Sequence, residues 1–272
     1  MSIPFRLRAA SVLAENIRDL LCDPKVYITP EILQLYVRTQ CMINKPEHIP
    51  EIFHLYAHKP IPRSSQPPPN PSESQQPPAI KYKRSFPWSP NNAIPVSLAE
   101  AALASAIAIK SLPLSLSVIE TSVATRAFRI SKTLRKASMP LGLLSMTPFC
   151  SYAIASVVAT QYQNTWDPIM ATWLFFGGIM AYVGTTASLG MIARLTYNDQ
   201  MQRVTWRPGT PLRDRWLREE ERAAFDQLAL SWGFRENWRW GEERGEDWEA
   251  LKEFCSRRGM LLDKTDLLPG MQ

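Results

Sequence analysis

Residues 139–162 read MPLGLLSMTPFCSYAIASVVATQY, and residues 168–193 read PIMATWLFFGGIMAYVGTTASLGMIA. From Ala137 to Ala193 the only charged side chain is Asp167, in the short QYQNTWD turn of residues 161–167. The remainder of the 272-residue chain therefore carries 55 of the 56 charges. Each apolar run reaches the roughly 20 residues that cross a bilayer as an α-helix. A turn of a few residues allows only an antiparallel pair. The stretch predicts a two-span transmembrane helical hairpin, residues 139–162 and 168–193. Tyr162, Trp166 and Trp173 gather near one end, where aromatic side chains sit at a membrane interface.

The charges around the hairpin predict its orientation. Arg126, Arg129, Lys132, Arg135 and Lys136 precede the first span, Arg194, Arg203 and Arg207 follow the second, and the turn has no Lys or Arg. Basic flanks stay on the side of synthesis. Both termini are expected in one compartment. The five cations before the first span are also candidates for anionic lipid contact. Ser151, Ala155 and Ala159 form one small-residue stripe, and Gly177, Ala181 and Thr185 form another. Such stripes pack on each other or admit a partner helix closely, which makes Gly177 and Ala181 candidate contact residues.

Outward from the hairpin the reading is all-α. An N-terminal helical module is expected over residues 1–58. Thr29-Pro30-Glu31 is a helix start, with Thr as N-cap and Pro in the first turn. The segment PEILQLY at 30–36 recurs as PEIFHLY at 50–56, so Ile32, Leu35 and Tyr36 match Ile52, Leu55 and Tyr56 as apolar stripes. Arg6 and Arg8, with no acid before Glu15, fit either a short presequence or an ordinary first helix. Residues 59–95 hold 11 of the 23 prolines and read as a disordered linker. Its end, KYKR at 81–84 followed by Phe86 and Trp88, suits a lipid headgroup region, single-stranded RNA or plain solvent. Residues 96–136 read as amphipathic, juxtamembrane helices. Glu100 and Lys110 argue against a third span over 96–119, because an ionised group at the bilayer centre costs about 2.5–3.5 kcal/mol.

The C-terminal module, residues 194–272, holds six of the nine tryptophans. A helix is expected from Thr210-Pro211 to Trp232, with Leu217, Ala224, Leu228 and Trp232 inward and the 218–222 stretch REEER as a solvated ion-pair face. A second is expected from Asp247 to Arg258, ending at Gly259, with Trp248, Leu251 and Cys255 buried. Trp238 and Trp240 are candidate partner contacts, since tryptophan is enriched at interface hot spots.

Composition narrows the chemistry. Residues 1–136 carry 17 basic and 9 acidic side chains, residues 194–272 carry 14 and 15, and the whole chain has a net charge of +6. Cys22, Cys41, Cys150 and Cys255 make neither a disulfide framework nor a C-x-x-C metal pair. All three histidines precede the linker. Glu51, His54 and His58 have helical ligand spacing but too few companions, and no phosphate loop or nucleophile elbow is present. No catalytic, cofactor or metal residue is assigned, and no small-molecule substrate is evident.

The segments NDQMQRVTW at 198–206, PLRDRWLREEER at 211–222 and GEDWEAL at 245–251 resemble a group of poorly characterised fungal mitochondrial membrane proteins. The Tyr27–Pro62 segment is similar to their N-terminal region. The resemblance implies fungal origin and a mitochondrial membrane location, but no activity, cofactor or site residue. The combined expectation is a non-enzymatic inner-membrane protein with matrix-side modules. It would tether or help assemble a respiratory-chain or mitoribosome partner on anionic lipid. Nucleic acid is disfavoured as a partner. The alternative is an oligomeric transport or channel component, which the scarcity of polar groups in the spans argues against.

Overall fold

The computed structural model describes residues 3–64, 80–161, 167–196 and 202–263. The chain is mostly helical. It divides into two compact units. The first is built from residues 1–131, 202–205 and 218–272, and the second from 132–201 and 206–217.

The first unit begins with α1 (Ile3–Cys22), α2 (Pro30–Ile43) and α3 (Ile49–His58). Thr29 caps α2 by accepting the Ile32 N–H, Pro30 follows in the first turn, and Asn44 closes the helix in the left-handed conformation at φ 60°. The buried face of α2 is Leu33, Tyr36, Val37 and Gln40, whereas Ile32 and Leu35 are exposed. The expected Ile32–Leu35–Tyr36 stripe is thus rotated by about one residue. In α3 the buried side chains are Ile49, Ile52 and Phe53. The two PE-initiated helices share a start signal but bury different faces, because α2 packs on α1, α3 and α4 together.

The ends of the Pro-rich stretch are ordered. Strand β1 (Ile61–Ser64) pairs antiparallel with β2 (Ile80–Lys83), Ile61 opposite Lys83. Pro67–Pro69 and Pro77–Pro78 lie outside the described residues. Lys59 is buried, and its Nζ donates to the carbonyls of Leu21, Asp23 (2.7 Å) and Val26 (2.9 Å). One ammonium thus closes the C-terminal end of α1, where a helix leaves its last carbonyls unpaired. Charged hydrogen bonds of this kind contribute about 1.5–3 kcal/mol each. Lys59→Met is expected to destabilise the unit by at least 2 kcal/mol, read as a lower urea midpoint at unchanged slope. An unchanged midpoint would show that the three bonds contribute nothing net.

The core centres on α4 (Val96–Ala108), which buries Leu98, Ala99, Ala102, Leu103, Ser105 and Ala106. Its alanines let α2, α5 (Leu112–Thr121) and α9 (Glu219–Trp232) approach it closely. Helices α4 and α5 are separate, with Lys110 at φ 59° between them. Neither approaches 20 residues, and both bury their apolar faces in this unit. The 96–119 region is therefore a pair of short helices packed within this unit.

The C-terminal part of the same unit adds α9, α10 (Glu246–Arg257) and a small two-stranded sheet of β3 (Val204–Trp206) with β4 (Met260–Leu262). Helix α10 buries Trp248, Leu251 and Cys255 and is followed by Gly259 at φ 74°, as its sequence pattern predicts. The expected continuous helix from Thr210 is interrupted. Helix α8 (Leu212–Leu217) ends before Arg218, whose φ of −109° and ψ of 16° lie outside the helix, and α9 starts afresh.

The second unit holds the long helices. Helix α6 (Arg126–Gln161) starts in the first unit and continues through the first apolar run. Helix α7 (Pro168–Thr196) carries the second, and α8 packs on α7. Both long helices have the length and composition to cross a membrane. Ala171 is the one fully buried side chain of α7 among the described residues.

Candidate functional site

The five cations before the first apolar run do not form one free surface. Arg126 is exposed and lies over the Trp88 ring, 5.5 Å from its centroid. Arg129 is half-buried and pairs with the Glu221 carboxylate at 3.6 Å. Lys132 is buried, donates to the Trp216 carbonyl, and sits 5.3 Å from that ring's centroid. Arg135 and Lys136 are exposed. A helix rotates successive side chains by about 100°, so a basic cluster in sequence faces several directions. Here part of it turns inward.

The small-residue stripes do not meet each other. Ser151, Ala155 and Ala159 are buried on α6, but Gly177, Ala181 and Thr185 are exposed on α7, and a Cβ added at Gly177 would touch nothing within 4 Å. The least exposed α7 positions include Ala171, Phe175, Ile179 and Val183, a different helical line. Aromatic contacts decide the rotation: Tyr152 of α6 meets Trp173 and Phe176 of α7 edge-on, each at 6.3 Å between centroids. Tyr162 and Trp166 lie outside the described residues, as does the Arg194 side chain.

The expected solvated face at 218–222 is instead an ion-pair core. Glu221 is 1% exposed. Its carboxylate accepts from Arg218 (2.8 Å) and Arg258 (2.6 Å) and lies beside Arg129. Burial alone would raise its pKa, but the hydrogen bonds and charges of Arg218 and Arg258 outweigh that and hold it low. Arg258 also reaches Glu120 at 2.6 Å. Arg222, likewise buried, donates to the Val204 carbonyl at 3.0 Å. Because α9 begins at Glu219, positions 221, 222, 225, 228 and 229 form its inner line, which displaces the stripe read from Leu217, Ala224 and Trp232.

Arg203 is likewise reassigned. Read as a membrane-flanking cation, it is among the largest fully buried side chains of the protein. It donates to both Asp263 oxygens (3.0 and 2.8 Å) and to Glu243 (2.6 Å). Its guanidinium lies 5.1 Å from the Trp240 centroid and 4.6 Å from that of Trp248. Burial pushes the Glu243 pKa up, but the Phe234 N–H and Arg203 together hold it below the usual range. Of the two candidate contact tryptophans, Trp240 is therefore half-buried against Arg203, with its indole N–H on the Phe234 carbonyl at 3.1 Å. Trp238 is 78% exposed and projects outward. The sequence carried no local signal for the Arg203 cluster, since its partners lie 40 and 60 positions away.

These clusters hold distant parts of the chain together through ion pairs and ring contacts. Burial pushes the Cys255 thiol up to about 12, far from a thiolate at neutral pH. Glu51 is paired with Arg18 at 2.8 Å, and His54 stacks on His58 at 4.0 Å between centroids. Among the described residues no three His, Cys, Asp or Glu side chains converge as a metal site. The recess between α4, α5 and α9 has a volume of about 90 Å³, well below the roughly 300 Å³ of small-molecule sites. A groove beside Glu243 and Trp248 is larger, but Glu246 and Asp247 on its wall are exposed to solvent. The remaining candidates are surfaces: the unburied apolar hairpin, the Arg135–Lys136 pair, Trp238, and the aromatic loop that meets Arg126.

No protein-family model, no curated protein and no solved structure matches this chain.

Proposed function

We propose that the protein is an integral membrane protein in which α6 and α7 cross the bilayer as a hairpin and the first unit forms a folded head outside it. The observation that carries this reading is the burial of the two helices. A core helix of a soluble protein is mostly buried by its own fold. Here none of the most apolar stretch of α7, and 11% of that of α6, is buried. Both helices also lie far from the start of the chain, where a signal sequence would be. Contiguous apolar surface on that scale marks a partner or a membrane.

The composition of the head supports the topology. It is assembled from both flanks of the hairpin. Lys110 lies over Trp232 at 5.1 Å, Glu120 pairs with Arg258, and Arg129 pairs with Glu221. A unit made from both flanks requires both on one side of the bilayer, in agreement with the basic flanks and the uncharged turn.

Among the described residues the head brings together ion pairs and aromatic packing and no cluster of metal-ligating side chains, which favours tethering or assembly over catalysis. The resemblance to fungal mitochondrial proteins directs the proposal to the inner membrane, with the head in the matrix and a respiratory-chain or mitoribosome component as partner. A transport or channel role is the second reading. It would need oligomerised hairpins, and the exposed Gly177–Ala181–Thr185 line is the feature that favours it.

Alkaline carbonate treatment of isolated membranes is expected to leave the chain in the pellet. Protease added to intact mitochondria should spare both termini, and protease added after outer-membrane rupture should spare them as well. Recovery in the carbonate supernatant overturns the membrane reading. Cleavage of either terminus after rupture overturns the matrix orientation.

A further inference from the structure

Between Ser74 and Ala99 the chain has no acidic residue, and within that window lie Lys81, Lys83 and Arg84 with Tyr82, Phe86 and Trp88. The three aromatic side chains point outward, at 55%, 66% and 60% exposure, and Lys83 and Arg84 are exposed beside them. Burial would ordinarily claim such side chains, and here the loop is built to keep them out. Ser85, buried between them, donates to the Ala57 carbonyl at 3.1 Å. The Asn92 amide donates to Ala57 O (3.1 Å), Ser85 Oγ (2.9 Å) and Phe86 O (3.0 Å). Tyr56 Oη donates to Asn91 O at 3.2 Å. The loop is thus pinned from beneath at Ser85 and Asn92, with Phe86 and Trp88 on its outer side. Trp88 is in contact with Arg126, the first residue of α6.

We propose that this loop, with Arg126, is a docking surface for the anionic headgroup layer of the bilayer that the hairpin crosses. The inference rests on the membrane reading above and adds a second attachment to it. Tyr and Trp prefer the headgroup level, with an apolar body and a polar tip. Each cation near an anionic surface gains about 1 kcal/mol, and no carboxylate interrupts the stretch. Continuity with the membrane helix selects lipid over other acidic partners. Arg126 stands ten residues before Lys136, about 15 Å along an α-helix. A headgroup layer of roughly 5–7 Å and a Debye length of about 8 Å span a similar distance. Measured along α6 itself, the Arg126 charge lies within reach of that surface, and Trp88, which touches Arg126, belongs to the loop that carries Lys83, Arg84 and the exposed aromatic side chains. Single-stranded RNA could stack on the same side chains, but it would need no connection to α6.

Hydrogen exchange of the full chain in nanodiscs tests the proposal. Discs of phosphatidylcholine alone are compared with discs that also contain phosphatidylserine. Amides of residues 82–88 are expected to exchange more slowly in the anionic discs, with the protection lost at high salt. In Lys83→Glu/Arg84→Glu the protection should vanish, since removing each attraction alone weakens the contact by about fivefold. Trp88→Ala should reduce it without changing the salt dependence. Residues 141–161 serve as the internal control. If they are protected in both discs while 82–88 exchange identically, the docking surface is overturned and the membrane reading stands. If 141–161 are unprotected in both, the membrane reading falls and the docking surface falls with it. Protection of 82–88 by an added single-stranded RNA, and not by phosphatidylserine, overturns the lipid assignment.

Discussion

Replacing Arg203 with leucine is expected to lower the thermal midpoint of the head by roughly 6–20 °C in detergent or nanodiscs. The side chain is wholly buried and holds the Asp263 and Glu243 carboxylates, which are 5% and 7% exposed. Leucine removes the countercharge and leaves both acids in an apolar setting between Trp240 and Trp248. Breaking a buried pair from one side costs about 3–5 kcal/mol, and each kcal/mol shifts a domain of this size by about 2–4 °C. The chain near Gly233 sharpens the test. A Cβ on Gly233 would lie 1.9 Å from Arg203 Nη1 and 2.7 Å from Glu243 Oε1. Gly233→Ala should therefore destabilise in wild-type protein and cost markedly less in Arg203→Leu, a coupling that a double-mutant cycle measures. An Arg203→Leu midpoint within 2 °C of wild type would show that the cluster is relaxed and hydrated.

Glu221→Gln is expected to be of similar size. The amide keeps the shape but leaves Arg218, Arg258 and Arg129 around a neutral group. A loss of about 3–5 kcal/mol follows, whereas Glu242→Gln on the exposed surface should stay within about 0.5 kcal/mol. The same site makes the head sensitive to acid. Glu221 and Glu243 both have pKa values below the carboxylate range in the folded state. Their contribution is complete above the unfolded value of about 4.3 and is lost as the pH falls through the depressed folded values. Urea midpoints should therefore be level from pH 7 to about 5 and fall steeply below about 4. In Glu221→Gln the acid fall should be shallower. A midpoint that rises on acidification would contradict the assignment of these carboxylates as paired anions.

Glu221 also joins the flanks of the hairpin. Arg129 approaches it from the start of α6, and Arg218 and Arg258 from beyond α7. The head cannot be completed until the chain has passed twice through the apolar region. This consequence is invisible in a linear reading that divides the protein into an N-terminal module, a hairpin and a C-terminal module.

Local chemistry was legible where one or two neighbouring residues decide the outcome. Thr29 and Pro30 start α2, the Trp248–Leu251–Cys255 line buries α10, and Gly259 follows its end. Glu100 and Lys110 argued against a span over 96–119, but the break between α4 and α5 at Lys110 was not read from the sequence. Faces and partners were not legible. Position 36 was placed inward correctly, but Ile32 and Leu35 turn outward because three neighbouring helices choose which side of α2 they cover. The 218–222 charges read as solvent-facing because charged residues usually are. They are buried because each finds a countercharge, and Glu221 finds one 37 positions away in Arg258.

By itself the sequence determined helical content, the two long apolar helices and the cations that bracket them. These depend on composition, periodicity and capping, which act within a few residues. Only the tertiary structure decided that Arg203 and Lys132 are buried and Arg129 is paired with Glu221, that the two small-residue stripes do not meet, and that both flanks make one head. Those outcomes depend on countercharges and packing surfaces brought together from distant positions, and no window along the chain contains them.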